Sequence, residues 1–273
     1  MSRAVFWKTW RDYLLLTMVL SVSIVLFEIG VVRMMMEAAK DLELLRNWLE
    51  RPFIKTMIQI ALGADPVGDL TPTTLATMGL AHPLLYAFAW TLLLTIGTGV
   101  VAGEISRGTA DLLLTLPVSR AAVYTSTTLV WLMAAFQVSL APLVGLWIGE
   151  RVFPLAEPLD FMRLWPVAVN FFALNVCVTG VTMMVSSMSS RRGTAVGIVM
   201  TTLLASDLVN LLAQFWDAIR SISFLGFLHY FRPLPVVRSG SLPWGDIGIL
   251  MAVAVVMWAV GLRHFCRRDV PAA

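Results

Sequence analysis

Charge is the scarcest resource of this chain. Only 14% of its 273 residues are charged, while 58% are hydrophobic, against roughly a quarter and about 45–50% in ordinary soluble domains. The scarcity excludes a large solvated domain and makes lipid the main solvent. Cysteine is nearly absent: Cys177 lies in an apolar run and Cys266 in a basic tail, which gives neither a disulfide framework nor a zinc-ligand spacing. The charge balance, 20 Lys and Arg against 17 Asp and Glu, includes no basic run interleaved with aromatics, so a nucleic-acid partner is not expected. Catalytic signatures are missing too. There is no Gly-x-x-x-x-Gly-Lys-Ser/Thr loop to cradle phosphates, no Gly-x-Ser-x-Gly elbow and no His-Glu-x-x-His pair. The stretch from Gly103 to Gly108 has the glycine spacing of a phosphate loop but neither the lysine nor a preceding strand.

What is present is a series of apolar runs. A helix needs about 20 mainly apolar residues to cross roughly 30 Å of hydrocarbon, and six segments qualify: 13–32, 83–103, 121–149, 164–188, 193–216 and 245–262. The second, third and fourth contain no Asp, Glu, Lys, Arg or His. The expected fold is therefore an all-α membrane protein, a single transmembrane domain over 1–273. Ahead of the first crossing, Phe6, Trp7 and Trp10 alternate with Arg3, Lys8 and Arg11, which predicts a short helix lying flat in the interface. The first apolar run is longer than the roughly 7–15 residues of a signal-peptide core, and no small-residue cleavage site follows it. It is expected to remain as an anchor.

Between the first two crossings, Leu42, Leu45, Trp48 and Leu49, then Phe53, Met57, Ile58 and Ala61, recur at helical spacing and predict an amphipathic helical pair. Between the fifth and sixth, Phe224, Leu225, Phe227, Leu228, Tyr230 and Phe231 are too apolar for a solvated loop and too few to span. They predict a re-entrant or interfacial segment.

Orientation follows from charges in short loops. With an inside amino terminus, the inner segments hold Arg3, Lys8, Arg11, Arg107, Arg120, Arg191, Arg192, Arg263, Arg267 and Arg268 against Asp12, Glu104, Asp111 and Asp269. The outer segments hold as many basic residues over about twice the length, with more acids. Density and net charge favour both termini on the cytoplasmic side of a prokaryotic cell membrane, although the raw Lys and Arg counts tie.

The most informative loop runs from Gly103 to Arg120, Gly-Glu-Ile-Ser-Arg-Gly-Thr-Ala-Asp-Leu-Leu-Leu-Thr-Leu-Pro-Val-Ser-Arg. It joins the second and third crossings. Its layout suggests a short helix parallel to the membrane, in which Leu112, Leu113 and Leu116 can face lipid or the bundle while Glu104, Arg107, Asp111 and Arg120 stay in water, and Pro117 and Ser119 restart the chain into the next helix. An ordinary charged loop fits the same residues.

The layout Glu-x-x-x-Gly-Thr-x-x-x-Leu-Leu-x-Leu-Pro-Val-Ser-Arg resembles the permease subunits of type-2 ABC exporters. The matching positions are Glu104, Gly108, Thr109, Leu113, Leu114, Leu116, Pro117, Val118, Ser119 and Arg120. The likeness extends to the Arg191-Arg192-Gly193 loop, the aromatic segment 224–235 and the closing Phe265-Cys266-Arg267-Arg268-Asp269. The resemblance implies a coupling helix that docks on a separate ATP-binding subunit, with ATP and Mg handled there and no cofactor on this chain. It also implies a second permease copy or a related chain as partner. Its cargo is not legible.

Within the spans, Asp207 is an ionisable group with Asn210 and Gln214 three and seven positions on, on one helix face. That stripe points to a translocation pathway or a dimer face, and interhelical packing is the alternative. Glu28 in the first crossing can pair with Arg33 near the outer surface or face the same pathway, and is read as snorkelling near the helix end. Asn175, Thr179, Thr182 and Ser186 share a face of the fourth helix and are read as packing contacts. Met34, Met35 and Met36 are adjacent and point around the helix, which argues against converging copper ligands. His82, His229 and His264 lack neighbours at ligand spacing, so no metal site is expected. An ion- or proton-coupled carrier, or an intramembrane enzyme built on Asp207, are the competing readings.

Overall fold

The computed structural model describes residues 2–68, 70–99, 102–103, 118–213 and 215–268. Its helices are α1 (Arg3–Ala38), α2 (Leu42–Leu49), α3 (Pro52–Leu62), α4 (Pro72–Leu80), α5 (Pro83–Gly99), α6 (Arg120–Val152), α7 (Phe161–Met188), α8 (Arg192–Leu212), α9 (Asp217–Arg220), α10 (Pro233–Ser239) and α11 (Trp244–Arg267). Two 3₁₀ turns, Ser223–Leu225 and Phe227–Tyr230, lie between α9 and α10. No strand occurs among the described residues. Five of the described helices are long and apolar enough to cross a membrane, and α4 with α5, bent by 41° at Ala81-His82, passes the same test only when taken as a pair.

Two features depart from the sequence expectations. The amino-terminal turns are not a separate flat helix, because α1 runs unbroken for 36 residues from its Ser2 cap, whose hydroxyl accepts from the Val5 amide at 3.5 Å. With no proline in this stretch and its first glycine at Gly30, nothing interrupts the ladder. At 1.5 Å per residue α1 is about 54 Å long, so it extends well beyond the roughly 30 Å of hydrocarbon.

The second departure is α4, which occupies what reads as an outer loop. Thr71 caps it by accepting from the Thr74 amide at 3.2 Å, Pro72 opens it, and Thr73 through Thr77 are buried. Its hydroxyls have local partners: Thr77 Oγ1 donates to the Thr74 carbonyl at 2.6 Å, and Thr73 Oγ1 accepts from the Asp160 amide at 3.0 Å. Pro83 lacks an N–H and disfavours helical geometry at His82, which ends α4 and starts α5.

The centre of the bundle is α7, which contacts α5, α6, α8, α10 and α11. Small residues set the close approaches. A Cβ on Gly180 of α7 would lie 2.8 Å from the Ala254 carbonyl of α11, and one on Gly145 of α6 would lie 2.7 Å from the Val25 carbonyl of α1. Gly145 and Gly149 form a glycine-x-x-x-glycine ridge facing α1, an arrangement that lets backbones meet in lipid. The expected amphipathic pair is present as α2 and α3. Gly63 ends α3 at φ +78°, and a Cβ there would sit 2.6 Å from Arg232 Cβ, so only glycine fits both the turn and the contact. The aromatic segment after α9 is tied into the core. Phe231 is buried with Tyr86 and Phe171, ring centroids 5.6–6.0 Å apart, and Asn170 Nδ2 donates to the Tyr230 carbonyl at 3.0 Å.

Candidate functional site

Most of the loop that carries the family resemblance, Glu104, Arg107, Gly108, Thr109, Asp111, Leu113 and Pro117, lies outside the described residues. Its end is described. Ser119 caps α6 by accepting from the Ala122 amide at 3.2 Å, as its place before the third crossing suggests. Arg120 reaches α11, donating to the carbonyls of Phe265 and Arg268.

The Arg191-Arg192-Gly193 loop divides into unlike parts. Arg192 is the first residue of α8 and binds α5, with Nε to Thr98 Oγ1 and a terminal nitrogen to the Thr95 carbonyl, both 3.3 Å. Arg191 is the main-chain cap of α8 and is exposed, and Gly193 faces open space. Arg268 closes this side by donating to the carbonyls of Ser187 and Ser189 at 3.0 and 2.9 Å. His264 Nδ1 also contacts the Ser187 carbonyl, at 3.1 Å.

Inside the spans, the two carboxylates have opposite fates. Asp207 is exposed on the outer flank of the bundle. It lies five residues from the end of α8, which stops at Leu212. Asn210 is partly buried, and Gln214 lies outside the described residues. Asn210 lines a cavity of about 360 Å³ with Gln59, Asp65, Arg220, His229 and Arg232. Of the cavity's lining groups, Asp65 is held below the usual carboxylate range by the Lys55 ammonium 2.8 Å away, and His229 is held below the usual imidazole range by burial and the Arg232 guanidinium.

Glu28 corrects the snorkelling expectation. Its exposure is 0%, and neither carboxyl oxygen has a hydrogen-bond partner among the described residues. Arg33 cannot serve, since five residues rotate a helix by about 140°, and its guanidinium instead lies over the Phe153 ring at 5.8 Å. The carboxyl rests against α4, where a Cβ on Gly79 would lie 2.5 Å from Oε2, while the Glu28 stem packs on Gly145 of α6. The signal that could have found it was Gly79 in a short threonine-rich helix, but only the bend at His82 brings α4 over α1.

The remaining polar groups serve packing. Asn175 Nδ2 donates to Ser139 Oγ at 3.1 Å, and Thr179 and Thr182 bond back to carbonyls of their own helix at 2.7 and 2.8 Å. Met34 is exposed while Met35 is buried, so their sulfurs diverge. No cluster of three or more His, Cys, Asp or Glu occurs among the described residues.

Over 200 residues, 69% of this chain and 80% of the relative, the sequence is 29% identical to the "Uncharacterized membrane protein YdbK" of Bacillus subtilis (strain 168). No solved structure matches. With its apolar spans and a match over residues 66–271 to the family described as "Protein of unknown function (DUF2705)", this chain is a membrane protein that belongs to that family.

Proposed function

We propose that this chain is the permease subunit of an ATP-driven exporter of the type-2 ABC kind, coupling hydrolysis on a separate ATP-binding subunit to export. The observation that carries the reading is the Glu104–Arg120 sequence between α5 and α6, with its charged residues, leucines and Leu-Pro-Val-Ser-Arg close. The chain has no phosphate-binding loop, so ATP and Mg belong to the partner and this chain is not itself an enzyme. The exposed Asp207 supports a second copy, or a related chain, against α8. An ionised carboxylate facing lipid is costly, and a partner surface removes it from lipid. A cytoplasmic membrane with both termini inside accords with the density of basic residues in the inner segments.

Co-purification from native membranes in mild detergent tests the reading. Wild-type chain is expected to bring an ATP-binding subunit and ATPase activity, and the Glu104→Ala, Arg107→Ala double variant to lose both. Absence of such a subunit with the wild type sinks the proposal. The buried Glu28, without a hydrogen-bond partner among the described residues, favours a second reading, an ion- or proton-coupled carrier, which requires transport driven by a proton gradient without nucleotide.

A further inference from the structure

Where α7 ends and α8 begins, a groove of about 520 Å³ opens on the flank of the bundle. Its walls differ in character. Val185 and Met188 of α7 and Ile198 of α8 make an apolar side, with Met188 and Ile198 55% and 47% exposed. Ser190, Arg191 and Thr194 make the end nearest the turn polar, and no carboxylate lines the groove among the described residues.

The cations around this turn are not equivalent. Arg192 is held by α5, and Arg268 by the carbonyls that end α7. Arg268 also donates to Ser190 Oγ at 2.6 Å. A hydroxyl that accepts from a guanidinium keeps its own proton to donate, so Ser190 offers an O–H to an incoming anion. Arg191 has no side-chain hydrogen bond or ion pair among the described residues and stands at the same rim.

We infer that this groove binds one anionic phospholipid, its phosphate at Arg191 and Ser190 and an acyl chain along Met188 and Ile198. The apolar wall decides for a lipid over a water-soluble anion, which would leave that wall uncovered. The site also lies where two crossing helices meet the water boundary, the depth at which headgroups reside and where basic pockets between helices take anionic headgroups. Ile198 and Asp207 are nine positions apart, two and a half turns of α8, and so lie on opposite flanks. A lipid in the groove therefore leaves the Asp207 flank free, and the inference stands independently of the exporter reading.

The full chain, delipidated in mild detergent, is mixed with phosphatidylglycerol or phosphatidylcholine, and bound lipid is counted by native mass spectrometry. Phosphatidylglycerol is expected to be retained in preference to phosphatidylcholine. Arg191→Ala is expected to weaken that binding about five-fold, the contribution of one basic residue near an anionic surface, while Arg191→Lys restores most of it. Arg220→Ala, far from the groove, leaves binding unchanged, and excess inorganic phosphate does not displace the lipid. Equal retention of the two lipids, unaltered binding by Arg191→Ala, or displacement by inorganic phosphate overturns the inference. If Arg191→Ala does not elute as the wild type does, Arg191→Gln, which keeps a long polar side chain, takes its place.

Discussion

At the scale of single residues, Glu28 and Asp207 pose opposite problems in one bundle. Asp207 can reach a partner surface or water; Glu28 is sealed by its own chain, with α4 backbone on one side and α6 on the other. A buried polar group without a partner costs about 1–3 kcal/mol, and replacing it with an apolar side chain of similar volume removes that cost. Glu28→Met is accordingly expected to stabilise the chain by about 1–3 kcal/mol, seen as a higher thermal midpoint in detergent. A lower midpoint would mean that the carboxyl has a stabilising partner. If the same variant is more stable yet inactive, Glu28 is retained for function at the expense of stability.

At the scale of elements, the glycines of α6 and α1 predict opposite tolerance. Gly145 faces the α1 backbone with no room for a Cβ, whereas a Cβ on Gly30 of α1 would meet nothing within 4 Å. Gly145→Leu is expected to cost about 1–3 kcal/mol or more through overpacking. Gly30→Leu is expected to change the thermal midpoint little. Similar midpoints for the two variants would show that α1 and α6 do not pack through this ridge. Much of the element plan was legible beforehand. The amphipathic pair α2 and α3, the restart of the chain at Ser119 and the charge-free crossings all announce themselves by local pattern. The helix α4 did not, because its threonines read as a loop until neighbouring helices cover them and its hydroxyls find partners at Thr74 and Asp160.

At the scale of the whole molecule, the flank of α8 that carries Leu204, Asp207 and Leu208 is exposed. If a second copy covers it, Leu204→Cys in a Cys266→Ser background is expected to form a disulfide between two chains in membranes. The remaining native thiol, Cys177, is buried and does not compete. Met162→Cys, an exposed position on α7, serves as the control and should stay monomeric. Cross-linking at Met162 and not at Leu204 would move the interface away from α8.

The sequence by itself determined the all-helical class and the run of apolar segments long enough to cross a membrane. Those properties depend on local apolar length and on where charge is absent, and both are written along the chain. Tertiary structure decided that α4 joins the bundle, that Glu28 is sealed rather than snorkelling, and that Asp207 stands exposed near a helix end. It also decided that Arg192 is bound to α5 while Arg191 has no side-chain partner among the described residues. Each of these is a matter of which distant segment lies alongside, and helical periodicity fixes the face a residue occupies without naming the neighbour that covers it.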